Sequence, residues 1–416
     1  VKNLLLKTDA NMKARKVILF TRRFPYFKTE AFLEAEINIL AEAFDEVVIF
    51  PSEISEEVRP ILANVKVEKE FSKHFQNKKK RILQTIFSSF FWDTLWKYKS
   101  KINSADSFKH IFQFSSSVIA YKTYFKNYEF SESDLLYTYW FTEATKAFID
   151  LKKTKKFKLV SRAHRYDIYE GLPSTPAFWP FRKDVLEKID KLYSISENGK
   201  NYMETKYKVY NKIKVSKLGV FDKGKTAPQN VENEISFVSV SRIDPMKRVQ
   251  LIADSIVNFA KLNPEKKITW IHFGDGKERE NIKNSIPVLS NLKAQLNGAI
   301  QNTQIYKYYE ENPVSIFINL SSSEGIPVSI MEAQSFGIPV IATDVGGSGE
   351  IVQNETGKLL SANPSVSDVN LAINQILSEN LSRQEIKKFW NLNFNAQTNY
   401  ENFVNDLKSE VFLDEK

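Results

Sequence analysis

Short apolar runs separated by stretches of helical period recur along the chain, and the series starts twice. Residues 16–20 and 45–50 read as strands. Between them Phe32, Leu33, Ile37 and Leu40 make an apolar stripe over a helix spanning about residues 31–44, with Thr29 as its N-cap and Phe32, Glu36 and Leu40 on one face. A βαβ start of this kind builds a parallel sheet. Further strands are predicted at 134–140 with a helix to about 151, at 158–161, and at 192–197 with a helix after it. Residues 212–219 carry the chain out of this domain, and the Lys-, Gly-, Pro- and Asn-rich stretch that follows is a linker. The pattern then restarts, with strands at 235–240, 268–273, 315–320 and 339–343, helices at 249–259 and from Pro327 or Val328, and an edge strand at 357–360. The aromatic tail over 382–407 reads as one or two helices. The fold class expected is α/β: two doubly wound, Rossmann-like domains facing across a cleft. The boundaries are 12–220 for the first domain, 221–234 for the linker, 235–395 for the second domain, and 396–416 for a C-terminal helix packing back on the first. No Gly-x-Gly-x-x-Gly follows the first strand, which argues against an amino-terminal dinucleotide fold.

A chain of 416 residues, 42% apolar and 26% charged, is ordinary for a globular protein with two cores. With no cysteine, a disulfide framework and thiolate chemistry are excluded. No run approaches the roughly 18 apolar residues of a membrane span, and the first residues are too short an apolar stretch for a signal peptide. Met12-Lys-Ala-Arg-Lys16 reads as the natural start, with residues 1–11 as an added leader, and a cytoplasmic address is expected. The net charge of +9 favours anionic partners: nucleotides, phospholipid surfaces or nucleic acid. Much of that charge lies in residues 71–110, where lysines interleave with Phe87, Phe90, Phe91, Trp92 and Trp96. This composition suits peripheral contact with an anionic membrane surface; it equally suits aromatics in a core beneath a solvated basic face. No nucleic-acid reading module is present, so nucleic acid is not expected as a partner.

Candidate chemistry concentrates in residues 321–344, a strand–loop–helix–strand unit. Glu324 falls at the helix mouth and Glu332 about one turn inside, roughly 6 Å along the axis from Val328. Both face the carboxyl edge of a parallel sheet, where such sheets bind ligands. The amides of Gly325, Ile326 and Val328 lie ready there for an anion or hydroxyl, whereas Pro327 has none to give. Glu332 stands in the apolar setting Ile330-Met331-Glu332-Ala333, where a charge needs a partner such as a sugar or ribose hydroxyl. The alternative is a solvated loop acid and a charge favouring the helix dipole. Arg242 and Lys247 follow a strand directly and suit a phosphate, against plain surface charge. Gly274-Asp-Gly276 permits close approach of a ligand, although Arg279 occupies the third glycine's place of a dinucleotide loop. Residues 345–350 read as a flexible turn. His164, just past a strand end in Arg162-Ala-His164, suits a sugar contact or a structural hydrogen bond. His74, His110 and His272 lack ligand spacing and no Asp-x-Asp occurs, so no metal site is expected.

These residues carry a resemblance. Residues 319–350 resemble the donor-binding segment of glycosyltransferase family 4, retaining enzymes of the two-Rossmann-domain B fold. The likeness rests on the seven residues between Glu324 and Glu332, the turn Glu324-Gly325-Ile326-Pro327, and Phe336-Gly337-Ile338-Pro339-Val340-Ile341-Ala342. Ser241-Arg242 with Lys247, Gly274-Asp-Gly276 and Arg162-Ala-His164 support it, and the likeness extends over the chain from Lys16. It implies that Arg242 and Lys247 hold a donor diphosphate and that Glu332 bonds the ribose hydroxyls. Glu324 and the amides beyond it would hold the sugar ring and distal phosphate, with Ser323, Gly325, Ile326, Val328, Gly274 and Gly276 as donor-binding positions. His164 would contact the transferred sugar. The first domain would bind the acceptor: the stretch from Phe24-Pro25 to Phe32 looks like a loop of some polysaccharide-synthesising members, with Arg22, Arg23 and Glu30 as candidates, although the family's Gly-Gly loop is missing. The implied activity is metal-independent, retaining transfer of a hexosyl unit, without a cofactor. The donor is a nucleotide sugar, UDP-linked in preference to GDP-linked, and the acceptor a saccharide or lipid-linked saccharide in capsule or lipopolysaccharide synthesis at the inner face of the membrane. The alternatives are a nucleotide-sugar epimerase or hydrolase, and a non-catalytic scaffold on a degenerate transferase fold.

Overall fold

The computed structural model describes residues 16–27, 29–30 and 32–412; the expected start at Met12 and the leader before it lie outside the described residues. The chain divides into two compact units. One runs through Ser194 and takes in Tyr202–Val215 and the C-terminal stretch from Tyr400; the other comprises Ile195–Asn201 and Ser216–Asn399.

The first unit is built on a seven-stranded parallel sheet. Its strands are β1 (Lys16–Thr21), β2 (Glu46–Pro51), β3 (Val65–Val67), β4 (Leu135–Thr138), β5 (Lys158–Ala163), β6 (Lys191–Ser194) and β7 (Ile213–Val215), in the order β3-β2-β1-β4-β5-β6-β7. Helices cover the sheet, so its central strands read as nearly continuous apolar runs. Val17 through Phe20 of β1 are all buried. The chain winds outward from β1 to β3 and then returns to lay β4 on the other side of β1, in register Val17↔Leu135. The carboxyl ends of β1 and β4 therefore flank a topological switch point.

Beneath the sheet Phe20, Phe50, Phe71, Tyr121, Phe125 and Phe148 form one aromatic core. The helix Phe32–Ala43 buries Leu33, Ile37 and Leu40 as the stripe predicts, but Phe32 is only half-buried. Glu36 goes under instead, because it pairs with the equally buried Arg162 and accepts a 2.8 Å hydrogen bond from the Tyr137 hydroxyl. A buried charge survives only with such partners. The last helix, Ala396–Phe412, closes this core: Phe403 lies 5.5 Å from the Tyr137 ring and 4.9 Å from Tyr193, with the Arg162 guanidinium 4.2 Å above it.

Residues 71–110 belong mainly to the helices Lys69–Gln76, Lys78–Ile86 and Ser89–Lys97 and the start of Ala105–Phe125. Their aromatics divide. Phe91 is buried and Phe90 packs half-buried on the core, whereas Phe87 and Trp96 are 83% and 72% exposed, with Trp92 exposed beside them. Among the described residues no helix is long and apolar enough to cross a membrane.

The second unit repeats the plan with a six-stranded parallel sheet: β8 (Glu234–Val240), β9 (Lys267–Phe273), β10 (Leu292–Leu296), β11 (Ile316–Asn319), β12 (Val340–Thr343) and β13 (Gly357–Leu360), ordered β10-β9-β8-β11-β12-β13. Its switch point falls between β8 and β11. Phe237, Ile252, Ile256, Phe259, Trp270 and Ile373 are central to its core. Three differences from the sequence reading stand out. Ile213–Val215, within the stretch expected to lead out of the first domain, is an edge strand. Leu292–Leu296 is a short, half-exposed strand that was not among the strands expected. The expected flexible turn at 345–350 contains a short helix, Ser348–Ile351.

Candidate functional site

Because β8 and β11 are neighbours, the loops leaving their carboxyl ends emerge side by side at the switch point of the second unit. The two loops are stitched together. Ser322 donates its backbone N–H to the Met246 carbonyl at 2.8 Å, and the Arg248 guanidinium donates to the carbonyls of Leu320 (2.6 Å), Ser321 (2.8 Å) and Ala362 (2.8 Å). Across this seam the Lys247 ammonium lies 2.5 Å from a Glu324 carboxylate oxygen, the two side chains only 16% and 11% exposed. Arg242 is placed otherwise: 78% exposed, its guanidinium meets Asp244 at 3.4 Å. The seam thus holds one shielded ion pair and one solvated cation on the same loop.

Glu324 is followed by the helix Val328–Ser335, with Pro327 as its N-cap residue. Ile330 donates to the Pro327 carbonyl at 3.2 Å, which leaves the amides of Val328 and Ser329 as the first-turn donors without an intrahelical acceptor. Ser323, Gly325 and Ile326 are buried in the turn before it, and Val328 is half-buried. Glu332 is buried on the inner side of this helix and accepts hydrogen bonds on Oε1 from the Asn302 amide (2.9 Å) and the Tyr306 hydroxyl (2.8 Å). Burial pushes its carboxyl up to about 7, against the opposing effects of the Tyr306 hydrogen bond and the Lys223 charge. The partner that the sequence reading left to a ligand hydroxyl is therefore supplied, at one oxygen, by the protein. Neither Asn302 nor Tyr306 was singled out from the sequence: the contact crosses between helices, and no spacing announces it.

The glycines also hold the neighbouring loops close. A Cβ on Gly274 would stand 1.7 Å from the Ser241 carbonyl oxygen, and one on Gly276 would stand 1.9 Å from that of Ile243. Ile243 also donates its N–H to the Asp275 carbonyl at 2.8 Å. One close approach these glycines permit is that of the Arg242 loop. Gly346 does the same for the acid loop, since a Cβ there would lie 2.0 Å from the Glu324 carbonyl oxygen, and Gly347 donates to the Gly325 carbonyl at 2.7 Å. The expected flexible turn is thus docked, and it props the turn that carries Glu324.

In the first unit His164 follows β5 directly. Its ring lies 4.6 Å from both the Tyr139 and Trp140 rings, and both ring nitrogens are buried without a hydrogen-bond partner among the described residues. Burial, reinforced by the Arg162 charge, lowers its pKa to about 3, so the imidazole is neutral. Its backbone N–H donates to Asp167, whose carboxyl burial raises to about 7. Glu30 accepts from the backbone N–H groups of Arg22 (3.1 Å), Arg23 (2.7 Å) and Phe24 (2.7 Å) and from the Trp140 indole (2.6 Å), so it shapes the loop after β1. Arg22 and Arg23 both pair with Glu53, at 3.3 and 2.7 Å. Beside them, at the carboxyl ends of β1, β2 and β4, opens a cavity of about 420 Å³ whose walls include Arg22, Arg81, Gln113, Trp140, Glu143 and Tyr166. Arg81, Gln113 and Glu143 were not read as site residues from the sequence, being scattered over three helices. Among the described residues no group of three or more His, Asp or Glu side chains is placed to hold a metal ion.

Comparison with known proteins places this geometry. Residues 221–390 match the family model of glycosyl transferases group 1. An uncharacterized glycosyltransferase of Haemophilus influenzae is 26% identical over 182 residues, 43% of this chain and 49% of that protein. The O-antigen biosynthesis glycosyltransferase WbnH of Escherichia coli is 23% identical over 239 residues, 56% of this chain and 64% of that protein. The GtfA subunit of the UDP-N-acetylglucosamine–peptide N-acetylglucosaminyltransferase of Streptococcus parasanguinis is 25% identical, covering 44% of this chain and 36% of that protein. The chain thus spans less than two thirds of the length of each of these relatives. Among solved structures, the lipopolysaccharide outer core galactosyltransferase WaaB superposes with a TM-score of 0.67 at 16% identity, over 96% of this chain and 99% of that one. A sucrose-phosphate synthase from Thermosynechococcus elongatus does so with the same TM-score at 15% identity, over 96% and 100%. The fold is that of these proteins: the two Rossmann-like domains of the glycosyltransferase B fold.

Proposed function

We propose that the chain is a retaining hexosyltransferase of family 4 that uses a nucleotide sugar, UDP-linked in preference to GDP-linked, without a metal. The observation that carries this reading is the Lys247–Glu324 pair, held at the switch point of the second unit beside the mouth of the Val328–Ser335 helix. Shielded together, the two charges neutralise one another. A donor diphosphate arriving beside them offers Lys247 a doubly charged partner and frees the Glu324 carboxylate for the hydroxyls of the sugar. Arg242, extended into solvent on the same loop, closes on the diphosphate, and the first-turn amides take its distal oxygens. Glu332 bonds the ribose while Tyr306 and Asn302 hold its carboxyl in place. His164, neutral and with ring nitrogens lacking partners among the described residues, meets a hydroxyl of the transferred sugar.

Chemically, the bond from the anomeric carbon to the departing phosphate oxygen breaks, and an acceptor oxygen bonds to the same face. The acceptor proton passes to a phosphate oxygen, leaving a nucleoside diphosphate. The cationic loop and helix amides stabilise the charge on that leaving group. Supporting the choice of base, relatives of this chain carry UDP-linked donors in their names. The acceptor is a saccharide or lipid-linked saccharide of a cell-surface polysaccharide. The exposed Phe87, Trp92 and Trp96 among lysines would then rest on the anionic bilayer that carries it.

Calorimetric titration of the metal-free protein with UDP and GDP tests the reading. Micromolar UDP binding that weakens about 10²-fold in Lys247→Ala is the expected result. No binding of either nucleotide by folded protein would overturn it, and a product of inverted anomeric configuration by NMR would overturn retention.

A further inference from the structure

The cavity of the first unit contains a cation that the proposed mechanism does not use. Arg81 projects from the helix Lys78–Ile86 toward the helix Ala105–Phe125, donating to the Ser116 hydroxyl (3.3 Å), the Ser117 hydroxyl (3.1 Å) and the Phe75 carbonyl (3.0 Å). These acceptors are neutral and use three of the five guanidinium N–H donors. Among the described residues no carboxylate lies within ion-pair distance of Arg81. Its charge is nevertheless largely withdrawn from water: the guanidinium sits 4.1 Å over the Phe75 ring, and burial lowers its pKa. A half-buried guanidinium without an ion-pair partner among the described residues, facing a cavity of about 420 Å³ at a sheet switch point, has the electrostatic form of an anion site.

The rest of the wall limits what the anion belongs to. Trp140 and Tyr166 provide aromatic faces of the kind that cover a sugar ring, and Gln113 can bond its hydroxyls. The other charges on the wall are Arg22 and Glu53, which pair with one another, and Glu143. Glu143 raises the Arg81 pKa through space yet lies beyond ion-pair distance, leaving a gap between acid and guanidinium. We propose that this cavity receives the acceptor and that the acceptor carries a phosphate: Arg81 grips the phosphoryl oxygens while Glu143 takes sugar hydroxyls on the opposite wall. The inference rests on the transferase reading for the word acceptor, but the anion site itself does not.

The test uses the full chain saturated with UDP, so that the Lys247 loop is occupied, and inorganic pyrophosphate as the calorimetric probe. One further equivalent of pyrophosphate is expected to bind, about tenfold or more weaker in Arg81→Gln, and tighter in Glu143→Gln because a repelling charge is gone. Arg81→Lys, which keeps the charge and loses the fork, should fall between and serves where the glutamine variant does not fold. A parallel sedimentation with phosphatidylglycerol vesicles separates sources. Pyrophosphate binding assigns the site to a free phosphate or diphosphate, and Arg81-dependent vesicle binding without it assigns the site to a lipid headgroup. If neither probe binds, or if both bind folded Arg81→Gln as they bind the wild type, the proposal is overturned. Loss of UDP binding with Arg81-dependent pyrophosphate binding intact would instead remove the transferase reading and leave the anion site standing.

Discussion

At the scale of single residues, the Lys247–Glu324 pair separates a structural from a functional account. Breaking a shielded pair strands one buried charge, at a cost on the order of 3 kcal/mol, whereas replacing both partners with neutral isosteres costs little. Lys247→Met and Glu324→Gln should therefore each lower the denaturation midpoint, and the double variant should recover it. Neither the single variants nor the double should transfer sugar; a stable, active double variant would reduce the pair to scaffolding. Glu332 makes a second, pH-dependent case. Its carboxyl is raised from 4.5 to about 7 in the fold, so the stability it contributes is fully present below about 4.5 and is lost as the pH rises through 7. In the proposed donor site the same rise creates the carboxylate that would accept from ribose hydroxyls. UDP affinity should accordingly grow between pH 6 and 8 while thermal stability declines; Glu332→Gln should flatten the affinity trend and lessen the stability decline, the rest of which belongs to Asp167, also raised to about 7. A wild-type affinity profile flat across that window would remove Glu332 from the nucleotide site. The positions of Glu324 and Glu332 are legible in the sequence because both lie within one short loop–helix segment. What holds them is not: Lys247 is 77 residues from Glu324 and Tyr306 is 26 residues from Glu332, so the carboxylate partners depend on tertiary packing.

At the scale of elements, the site is a set of loops pressed together by glycine. Adding one methyl at Gly276, where it would stand 1.9 Å from the Ile243 carbonyl oxygen, must displace the loop bearing Arg242 and Lys247. Gly276→Ala should cost about 2 kcal/mol or more and weaken nucleotide binding with it, as read by thermal melting and calorimetry. Unaltered nucleotide affinity would mean that the loop moves without consequence for the site. In the sequence this glycine pair shows that something comes close to the backbone, but not that the Ser241 and Ile243 carbonyls do. The strands were legible where burial on both faces wrote a long apolar run, as in β1, β2, β8 and β9. They were obscure where an edge strand is three residues long, as in β3 and β7, or short and without a buried residue, as in β10. Glu36 was legible as lying on the helix face of Phe32 and Leu40, yet not as buried, since Arg162, which neutralises it, comes from β5.

At the scale of the molecule, the net charge of +9 has a geography. Lysines 78, 79 and 80 share the Lys78–Ile86 helix with exposed Ile82, Leu83 and Ile86, and Phe87, Trp92 and Trp96 follow, all turned from the core. A soluble surface gains nothing from such a patch, whereas an anionic bilayer satisfies both of its components. The components also separate by salt. The Debye length shortens from about 10 Å at 0.1 M to about 3 Å at 1 M, which weakens lysine attraction while leaving the insertion of apolar side chains intact. Sedimentation with phosphatidylglycerol vesicles should therefore be strong at 0.1 M and reduced but measurable at 1 M. The Trp92→Ser/Trp96→Ser double variant should lose the salt-resistant remainder and keep the salt-sensitive part. Its turnover with a soluble acceptor should stay at the wild-type level, because neither tryptophan lines the cavity beside Arg81. Absence of vesicle binding at 0.1 M would assign the exposed aromatics to some other surface, and full binding at 1 M by the double variant would show that the tryptophans do not insert.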